Sequence, residues 1–375
     1  MDAIDWGTAQ RVGELVAGAG GRGVAHTGVS AATVEPRAHD FAARVSAYSG
    51  LPLQGELPPL EIVDRPSWIA ANLQTMRPML SPFSNRLAEQ QGPMAGPLRS
   101  VSGLLLGVQV GALTGMLSQR VLGQYDLALL DSGVPPRLLL LAPNLAQAAS
   151  NLEVDREELL LWVTIHEITH AVQFSGAPWL RGHIGAMLTE LLEGLEVALG
   201  GGGTGDDGDR AGNGSAGGAA RERPGGWAAR LPDPNEMREM LERARRGELL
   251  RLTLGEDRWR LVERMQAAMS LIEGHAEHTM DAVGAEVLPS LPELRAAMTR
   301  RRTQRGLPWR VLEKLLGLEL KMRQYETGRR FCDAVVAAGG PQALARVWSG
   351  PEALPSPREL EQPALWTARM TPAAA

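Results

Sequence analysis

Residues 166–170 read His-Glu-Ile-Thr-His, two histidines that flank a glutamate in an HExxH pattern. Residues four positions apart lie on one face of a helix, so the imidazoles of His166 and His170 can reach the same ion. Zinc accepts imidazole nitrogen, and three protein ligands leave one position open for water. Glu167 is rotated around the helix and can take a proton from that water. Chance would produce this motif only about 0.01 times in such a chain, so the pattern predicts a catalytic zinc site.

The motif lies in a stretch that is apolar on every side, from Arg156 to Phe174, which predicts a buried helix. Asp155 followed by Glu158 is typical of a capping box at its start, and Gly176 suits its end. Two histidines and a glutamate buried there without an ion would leave costly unpaired polar groups. The alternative interpretation is a pair of core histidines with satisfied hydrogen bonds and no metal.

A third ligand has to come from elsewhere, and residues 271–281 (LIEGHAEHTMD) offer a cluster of candidates. Glu273, Glu277 and Asp281 are spaced by four residues, so three carboxylates line one helix face and require a positive partner. We expect Glu273 to bind zinc, with Glu277 or Asp281 turned to the second nitrogen of a ligating histidine. A solvated acidic face is the alternative without a metal. The other candidates for the third ligand, in order, are Glu277 and then His278 or His275.

Two residues outside these clusters could take part in the chemistry. Tyr325, one of three tyrosines, lies in the segment KMRQYETGRRF and is the candidate hydrogen-bond donor to an oxyanion. A packed tyrosine with an ordinary hydrogen-bond partner is the competing interpretation. Cys332 lies beside apolar residues, so we expect it to be a packing residue and not a nucleophile.

The elements that must position these residues are mostly helical, so we expect a mainly α fold with a small β component. Residues 137–142 (RLLLLA) are the best strand candidate. Because this strand precedes the metal helix, it could offer an edge to an extended peptide. Apolar periodicity predicts further helices over residues 183–199, 236–246, 257–283, 292–302 and 308–338.

An uncharged stretch between Arg99 and Arg120 is long enough for a membrane span. Serine, threonine and glutamine dilute its apolar character, and no aromatic belt or basic cluster flanks it. We therefore predict a buried helix and no membrane partner. Small residues on one face let two helices approach closely, and we expect the catalytic helix to be the partner. The small residues at four-residue spacing are Gly103, Gly107, Gly111 and Gly115.

A length of 375 residues suggests two or three domains. The proline-rich residues 93–97 suggest a boundary between an N-terminal helical lobe, 1–95, and a catalytic region, 96–375. Residues 200–226 are glycine-rich and nearly free of apolar side chains, which predicts a disordered insertion. A net charge of −5 argues against nucleic acid as a partner. The single Cys332 excludes an intrachain disulfide framework and, with no secretory signal at the N-terminus, favours the cytoplasm.

Segments along nearly the whole chain resemble a largely actinobacterial family of zincin-like metallopeptidases, often labelled as associated with coenzyme F420 biosynthesis. The resemblance implies a mostly helical zincin-like fold in which zinc is held by His166, His170 and Glu273, and it supplies no substrate. HExxH with a distant E-G-x-A also resembles the glutamate-type zincins such as the aminopeptidases, although Ile272 stands where those have asparagine. The matching segments are IDWGTAQRV (4–12), VDRPSWIAANL (63–73), SQRVLGQYD (118–126), RLLLLAPN (137–144), HEITHAVQF (166–174), EGHAEHTMDAVG (273–284) and KMRQYETGRRF (321–331).

Together, the motifs and the resemblance predict a zinc-dependent hydrolase, most simply a metallopeptidase. In this mechanism a zinc-bound water activated by Glu167 attacks an amide carbonyl. The substrate is a peptide or a small amide, since the motif does not separate the two. The alternative from another class is a non-catalytic binding or assembly protein that zinc stabilises, and a fourth protein ligand such as His278 would favour it. The sequence leaves the oligomeric state open.

Overall fold

The structure is a computed structural model that describes residues 4–18, 22–24, 27–90, 96–200, 255–303 and 318–371. The side chains of residues 83, 86–90, 96–102, 195–200, 302–303 and 318–325 lie outside that description. Helices make up most of the described chain, which confirms the predicted mainly α class with a small β component.

Long helices alternate with three short strands along the first half of the chain, and the second half is helical where it is described. The elements of the first half are α1 (Trp6–Ala17), α2 (Ala31–Ser49), β1 (Leu60–Val63), α3 (Arg65–Gln90), α4 (Gly96–Ser118), β2 (Gly123–Asp126), β3 (Arg137–Leu141), α5 (Ala142–Leu152), α6 (Arg156–Gly176) and α7 (Trp179–Gly200). Those of the second half are α8 (Glu256–Val287), α9 (Leu291–Thr303), α10 (Leu318–Gly339), α11 (Pro341–Ala345), α12 (Pro357–Glu361) and α13 (Pro363–Met370), with 3₁₀ turns at Arg346–Trp348 and Pro351–Ala353.

The three strands form one sheet in the order β1-β3-β2. β1 runs parallel to β3, with Leu60 opposite Leu138, and β2 runs antiparallel to β3, with Tyr125 opposite Leu138. The four leucines from Leu138 to Leu141 are at most 1% exposed, as expected of a strand covered on both faces. Because β3 is paired on both sides, the expectation that it offers an edge to a peptide is wrong.

Helix α6 carries the HExxH motif through the centre of the molecule. Asp155 caps its first turn by accepting a hydrogen bond of 2.8 Å from the backbone N–H of Glu158. The reciprocal half of the predicted capping box is not formed, because the carboxylate of Glu158 accepts hydrogen bonds from the backbone N–H and the hydroxyl of Ser290 instead. Apolar residues on all sides of α6 pack against α2, α5, α8 and the small sheet. The helix can therefore hold its polar residues in a fixed place, because its neighbours leave it little freedom.

The glycines of α4 pack against α1, so the expectation that they face the catalytic helix is wrong. A Cβ atom on Gly107 would lie 2.5 Å from the carbonyl oxygen of Asp5, and one on Gly111 would overlap the backbone of Ala9. Leu104 and Leu105, on the outer side of α4, are 49% and 57% exposed, so the helix is buried along one side only. None of the helices within the described ranges is long and apolar enough to cross a membrane.

A continuous apolar core joins the first and last parts of the chain, from Phe41 on α2 through Ile168 on α6 to Phe331 on α10 and Trp366 on α13. The proposed division at residue 95 remains a prediction. Three predictions lie outside the described residues: the disordered insertion beyond residue 200, the helix at 236–246, and residues 308–317 of the last long helix.

Candidate metal centre

His166 and His170 on α6 meet Glu273 on α8 at the point where the two helices cross. The Nε2 atoms of the two histidines lie 3.2 Å apart. Oε2 of Glu273 lies 3.6 Å from each of these nitrogens. The structure therefore brings together the three residues that the sequence selected from two segments about a hundred positions apart, and Glu273 is the carboxylate that reaches the histidines.

The spacing of these three atoms suits a zinc ion. Zinc binds imidazole nitrogen and carboxylate oxygen at about 2.0–2.2 Å, so neighbouring donors of a tetrahedral site lie about 3.3 Å apart. The distances of 3.2 and 3.6 Å agree with that value. No other group of three such side chains in the described part of the chain comes close enough to hold an ion.

The charges at the centre are strongly coupled. Burial lowers the pKa of His170, but the charge and hydrogen bonding of Glu273, together with the charge of Glu167 and the hydrogen bond to Gln173, outweigh this effect and the pKa rises to about 9. Burial likewise raises the pKa of Glu273, and the positive charges and hydrogen bonds of His170 and His166 together outweigh it, so that this pKa falls far below its ordinary value. The metal-free centre thus keeps Glu273 ionised and holds a proton where a cation would bind.

The carboxylate of Glu167 contacts strand β2. Its Oε2 accepts a hydrogen bond of 2.7 Å from the backbone N–H of Tyr125. Burial raises the pKa of this carboxyl, and the positive charges of His166 and His170 oppose the rise. The charges of the two histidines therefore act on Glu167, while the hydrogen bond from Tyr125 holds its carboxylate against the sheet.

Strand β2 supplies two features that the sequence analysis missed. The amide of Tyr125 fixes Glu167, and Gly123 leaves the space for its side chain. Neither residue belongs to a recognisable motif. The one available signal was their place in the segment SQRVLGQYD, which matches the resembling family.

The second nitrogen of His170 does not contact an acidic residue of α8, contrary to expectation. Nδ1 of His170 lies 2.8 Å from Oε1 of Gln173 on the same helix. Asp281 instead pairs with Arg295 and Arg329 at 2.8 and 2.7 Å. Two guanidinium groups therefore give this carboxylate the positive partners that the acidic row requires.

The two other histidines of α8 are bonded elsewhere. His275 is buried, and its Nδ1 lies 2.9 Å from Nε2 of Gln173. His278 lies between the hydroxyl of Tyr48, 2.7 Å from its Nε2, and Asp333, 2.6 Å from its Nδ1. Both nitrogens of His278 are thus engaged away from the centre, so the geometry does not offer this residue as a fourth ligand.

The remaining candidates stand apart from this geometry. Tyr325 lies on α10, and its side chain is outside the described part of the structure, so its role stays a prediction. Cys332 on the same helix is buried, and burial raises the pKa of its thiol above the ordinary value. This burial agrees with the expectation of a packing residue.

Two of the three side chains at the centre are partly exposed. The side chains of His166 and Glu273 are 21% and 25% exposed, whereas His170 lies deeper at 10%. An ion bound by these three residues would therefore have a face toward solvent. Catalytic zinc sites keep such an open position, while structural sites are closed by a fourth protein ligand.

Comparison with known proteins places the chain in a family. A crystal structure of a protein from Chloroflexus aurantiacus, described as a "putative hydrolase with a novel fold", aligns with 99% of this chain and 100% of that chain, at 28% identity and a TM-score of 0.62. No curated protein matches the chain significantly. A family model described as zincin-like metallopeptidase matches residues 4–367. This match spans nearly the whole chain and confirms the zincin-like fold, and the protein therefore belongs to the zincin-like metallopeptidase family.

Proposed function

We propose that this member of a hydrolase family is a zinc-dependent peptidase. The observation that carries the proposal is the convergence of His166, His170 and Glu273 on one point with a face toward solvent. Two imidazoles and one carboxylate are the donor set of many catalytic zinc sites. The description of the similar protein from Chloroflexus aurantiacus as a putative hydrolase supports the same class of reaction.

In the proposed reaction, His166, His170 and Glu273 hold the ion and Glu167 moves the proton. A bound zinc ion would supply a Lewis acid that polarises the amide carbonyl and makes water more acidic. Glu167 would take a proton from the attacking water and pass it to the leaving amine. Its raised pKa suits this task, because a base with a pKa nearer to neutral can both accept and return a proton.

Strand β2 is the part of the sheet that we propose to lie along a peptide substrate. β2 is an edge strand of the described sheet, and its residue Tyr125 stands opposite Leu138. The amide of Leu141 bonds to the carbonyl of Leu122, so by the alternation of antiparallel pairs the backbone groups of Tyr125 turn away from β3. That outward amide is the one that holds Glu167, and its neighbours on the same edge could pair with an extended peptide.

The finer predictions from the sequence are part of the same proposal. Peptides are the preferred substrates and small amides the second choice. The single buried cysteine suits a cytoplasmic enzyme. The association with coenzyme F420 biosynthesis remains a prediction from the resemblance.

A cleavage assay with a matched variant tests the proposal. Protein loaded with one zinc per chain is incubated with a diverse peptide mixture and a panel of small amides, and products are identified by mass spectrometry. Glu167→Gln serves as the matched variant, since its amide oxygen can still accept the hydrogen bond from Tyr125. We expect cleavage by the natural protein and a loss of about 100-fold to 10,000-fold in the variant.

Two results would overturn the peptidase proposal. One is equal cleavage by the natural protein and Glu167→Gln, because the activity would then not depend on the proposed base. The other is a fully zinc-loaded protein that cleaves neither peptides nor small amides. That second result would make the non-catalytic, zinc-stabilised binding protein the better description.

A further inference from the structure

Gln173 lies at the contact between the two helices that carry the metal-binding side chains, and it is fully buried at 0% exposure. Its Oε1 lies 2.8 Å from Nδ1 of His170 on its own helix. Its Nε2 donates to the backbone carbonyl of Ile272 on α8 at 2.9 Å and lies 2.9 Å from Nδ1 of His275. A buried amide is costly unless its groups are paired, and here both ends of the amide are used.

The carbonyl of Ile272 decides which way this amide faces. A carbonyl oxygen can only accept, so the atom of Gln173 beside it must be the NH₂ group. The other atom is then the amide oxygen, which can only accept, and Nδ1 of His170 must carry a proton to bond with it. The nitrogen of His170 that faces His166 and Glu273 is Nε2, and a ring whose Nδ1 carries the proton can offer the lone pair of Nε2 to an ion.

The second hydrogen of the same NH₂ group is directed at Nδ1 of His275. That nitrogen accepts, so the proton of His275 is on Nε2 and the ring is neutral. The backbone carbonyl of Ile272 thus fixes the orientation of the Gln173 amide, and this orientation decides which ring nitrogen carries the proton in His275 and in His170.

We propose that Gln173 is a positioning residue for the metal centre. It holds His170 with Nε2 toward the ion and ties this histidine to the backbone of Ile272, the residue directly before Glu273. His170 and Glu273 lie on different helices, and the amide of Gln173 links these two helices without contacting the ion. The inference rests on the proposed metal site, and its first experiment needs no metal and no turnover.

The first experiment looks for the Nδ1–H of His170 directly. In the metal-free protein with ¹⁵N-labelled histidine, we expect the Nδ1–H proton of His170 to exchange slowly with water, since it is buried and hydrogen-bonded to Gln173. The His170→Gln variant assigns the signal. Its absence from the natural protein would overturn the proposal, whether or not any variant folds.

The second experiment compares zinc affinity in two variants, measured by competition with a chelator at a temperature where circular dichroism shows both to be folded. Gln173→Met keeps the length of the side chain and removes its hydrogen bonds. We expect it to bind zinc about 10-fold to 100-fold more weakly and to lose the slowly exchanging Nδ1–H signal.

Thr169→Val is the matched control. Thr169 is also at 0% exposure, lies beside His170, and bonds only to the carbonyl of Ile165 within the helix. We expect it to keep both the zinc affinity and the N–H signal. A merely structural role for Gln173 would lower the melting temperature but leave the zinc affinity of the folded variant unchanged, and that result would overturn the proposal. A protein that binds zinc without hydrolysing any substrate would contradict the peptidase function and leave this test intact.

Discussion

Gly123 leaves open the space that the side chain of Glu167 occupies. A Cβ atom on Gly123 would lie 2.8 Å from Oε1 and 2.9 Å from Cγ of Glu167, both closer than real Cβ contacts. Two positions further along the same strand, the amide of Tyr125 holds the other carboxylate oxygen at 2.7 Å. Strand β2 therefore positions Glu167, the proposed base, in two ways: Gly123 leaves room for its side chain, and the backbone N–H of Tyr125 donates a hydrogen bond to it.

Gly123→Ala should impair catalysis without removing the metal. The new methyl group would push Glu167 out of its place, and a displacement of about 1 Å can cost about 100-fold in rate. The zinc affinity should stay the same, because the methyl group would meet Val163 and Glu167 and none of the three metal ligands. The two quantities are read from the cleavage assay and from chelator competition.

Gly182→Ala is the control for this change. Nothing lies within 4 Å of a Cβ atom at Gly182, on helix α7, so this variant should keep full activity. A Gly123→Ala protein that is as active as the natural one would show that the position of Glu167 on β2 is not the one used in catalysis.

Glu273→Ala should weaken zinc binding by at least about 10-fold, whereas Glu277→Gln should not. Glu273 provides the oxygen that lies 3.6 Å from both histidine nitrogens, and Glu277 is one helical turn further along α8. Mass spectrometry of the purified proteins gives the metal content, and chelator competition gives the affinity. Unchanged zinc affinity in Glu273→Ala would disprove the assignment of the third ligand.

Zinc affinity should rise with pH by about tenfold per unit between pH 7 and pH 9. His170 has a pKa raised to about 9 in the metal-free centre, so below that pH zinc has to displace its proton. Above pH 9 this proton is already lost, and its contribution to the pH dependence should level off. Chelator competition at a series of pH values measures the slope.

The Glu273→Gln variant checks the cause of this pH dependence. The charge of Glu273 is the largest of the effects that raise the pKa of His170 against burial, so its removal should shift the dependence to lower pH. A zinc affinity that is flat from pH 7 to pH 9 in the natural protein would contradict the raised pKa.

Gly111→Ala should destabilise the protein by about 1–3 kcal/mol, because the added methyl group overlaps the backbone of Ala9 where α4 crosses α1. Neither helix carries a metal-binding residue, so zinc affinity should remain. Urea unfolding measures the free energy of unfolding. Gly182→Ala, again the control, should be neutral or more stable, since alanine favours a helix where there is room.

Local patterns in the sequence were sufficient to predict helix α6 and the placement of its two histidines. The spacing of His166 and His170 places two imidazoles on one face, and the apolar residues around them make α6 a buried helix that begins after Asp155. The same reasoning selected Glu273, because a buried zinc site needs a third donor and the acidic row of α8 was the cluster that offered one. Within each of the two helices these features depend on residues a few positions apart, and helix geometry fixes their relation.

Contacts between distant segments could not be read in this way. The strand at Arg137–Leu141 was correctly predicted, yet its central place in the sheet depends on which segments pair with it. The glycine row of α4 was recognised as a close-packing surface, but its partner is α1 and not the catalytic helix. Nothing in a row of small residues identifies what lies against it, since any helix backbone can approach such a row.

The sequence alone thus supplied the candidate groups of the centre: two imidazoles, one carboxylate proposed as the base, and an acidic helix to complete the site. The tertiary structure alone decided how these groups are held. It assigned the second nitrogen of His170 to Gln173 and not to Asp281, and it seated Glu167 against β2. The reason is physical: the identity and spacing of ligands are local properties, whereas a buried polar group bonds to whichever partner the packing of distant helices and strands brings within reach.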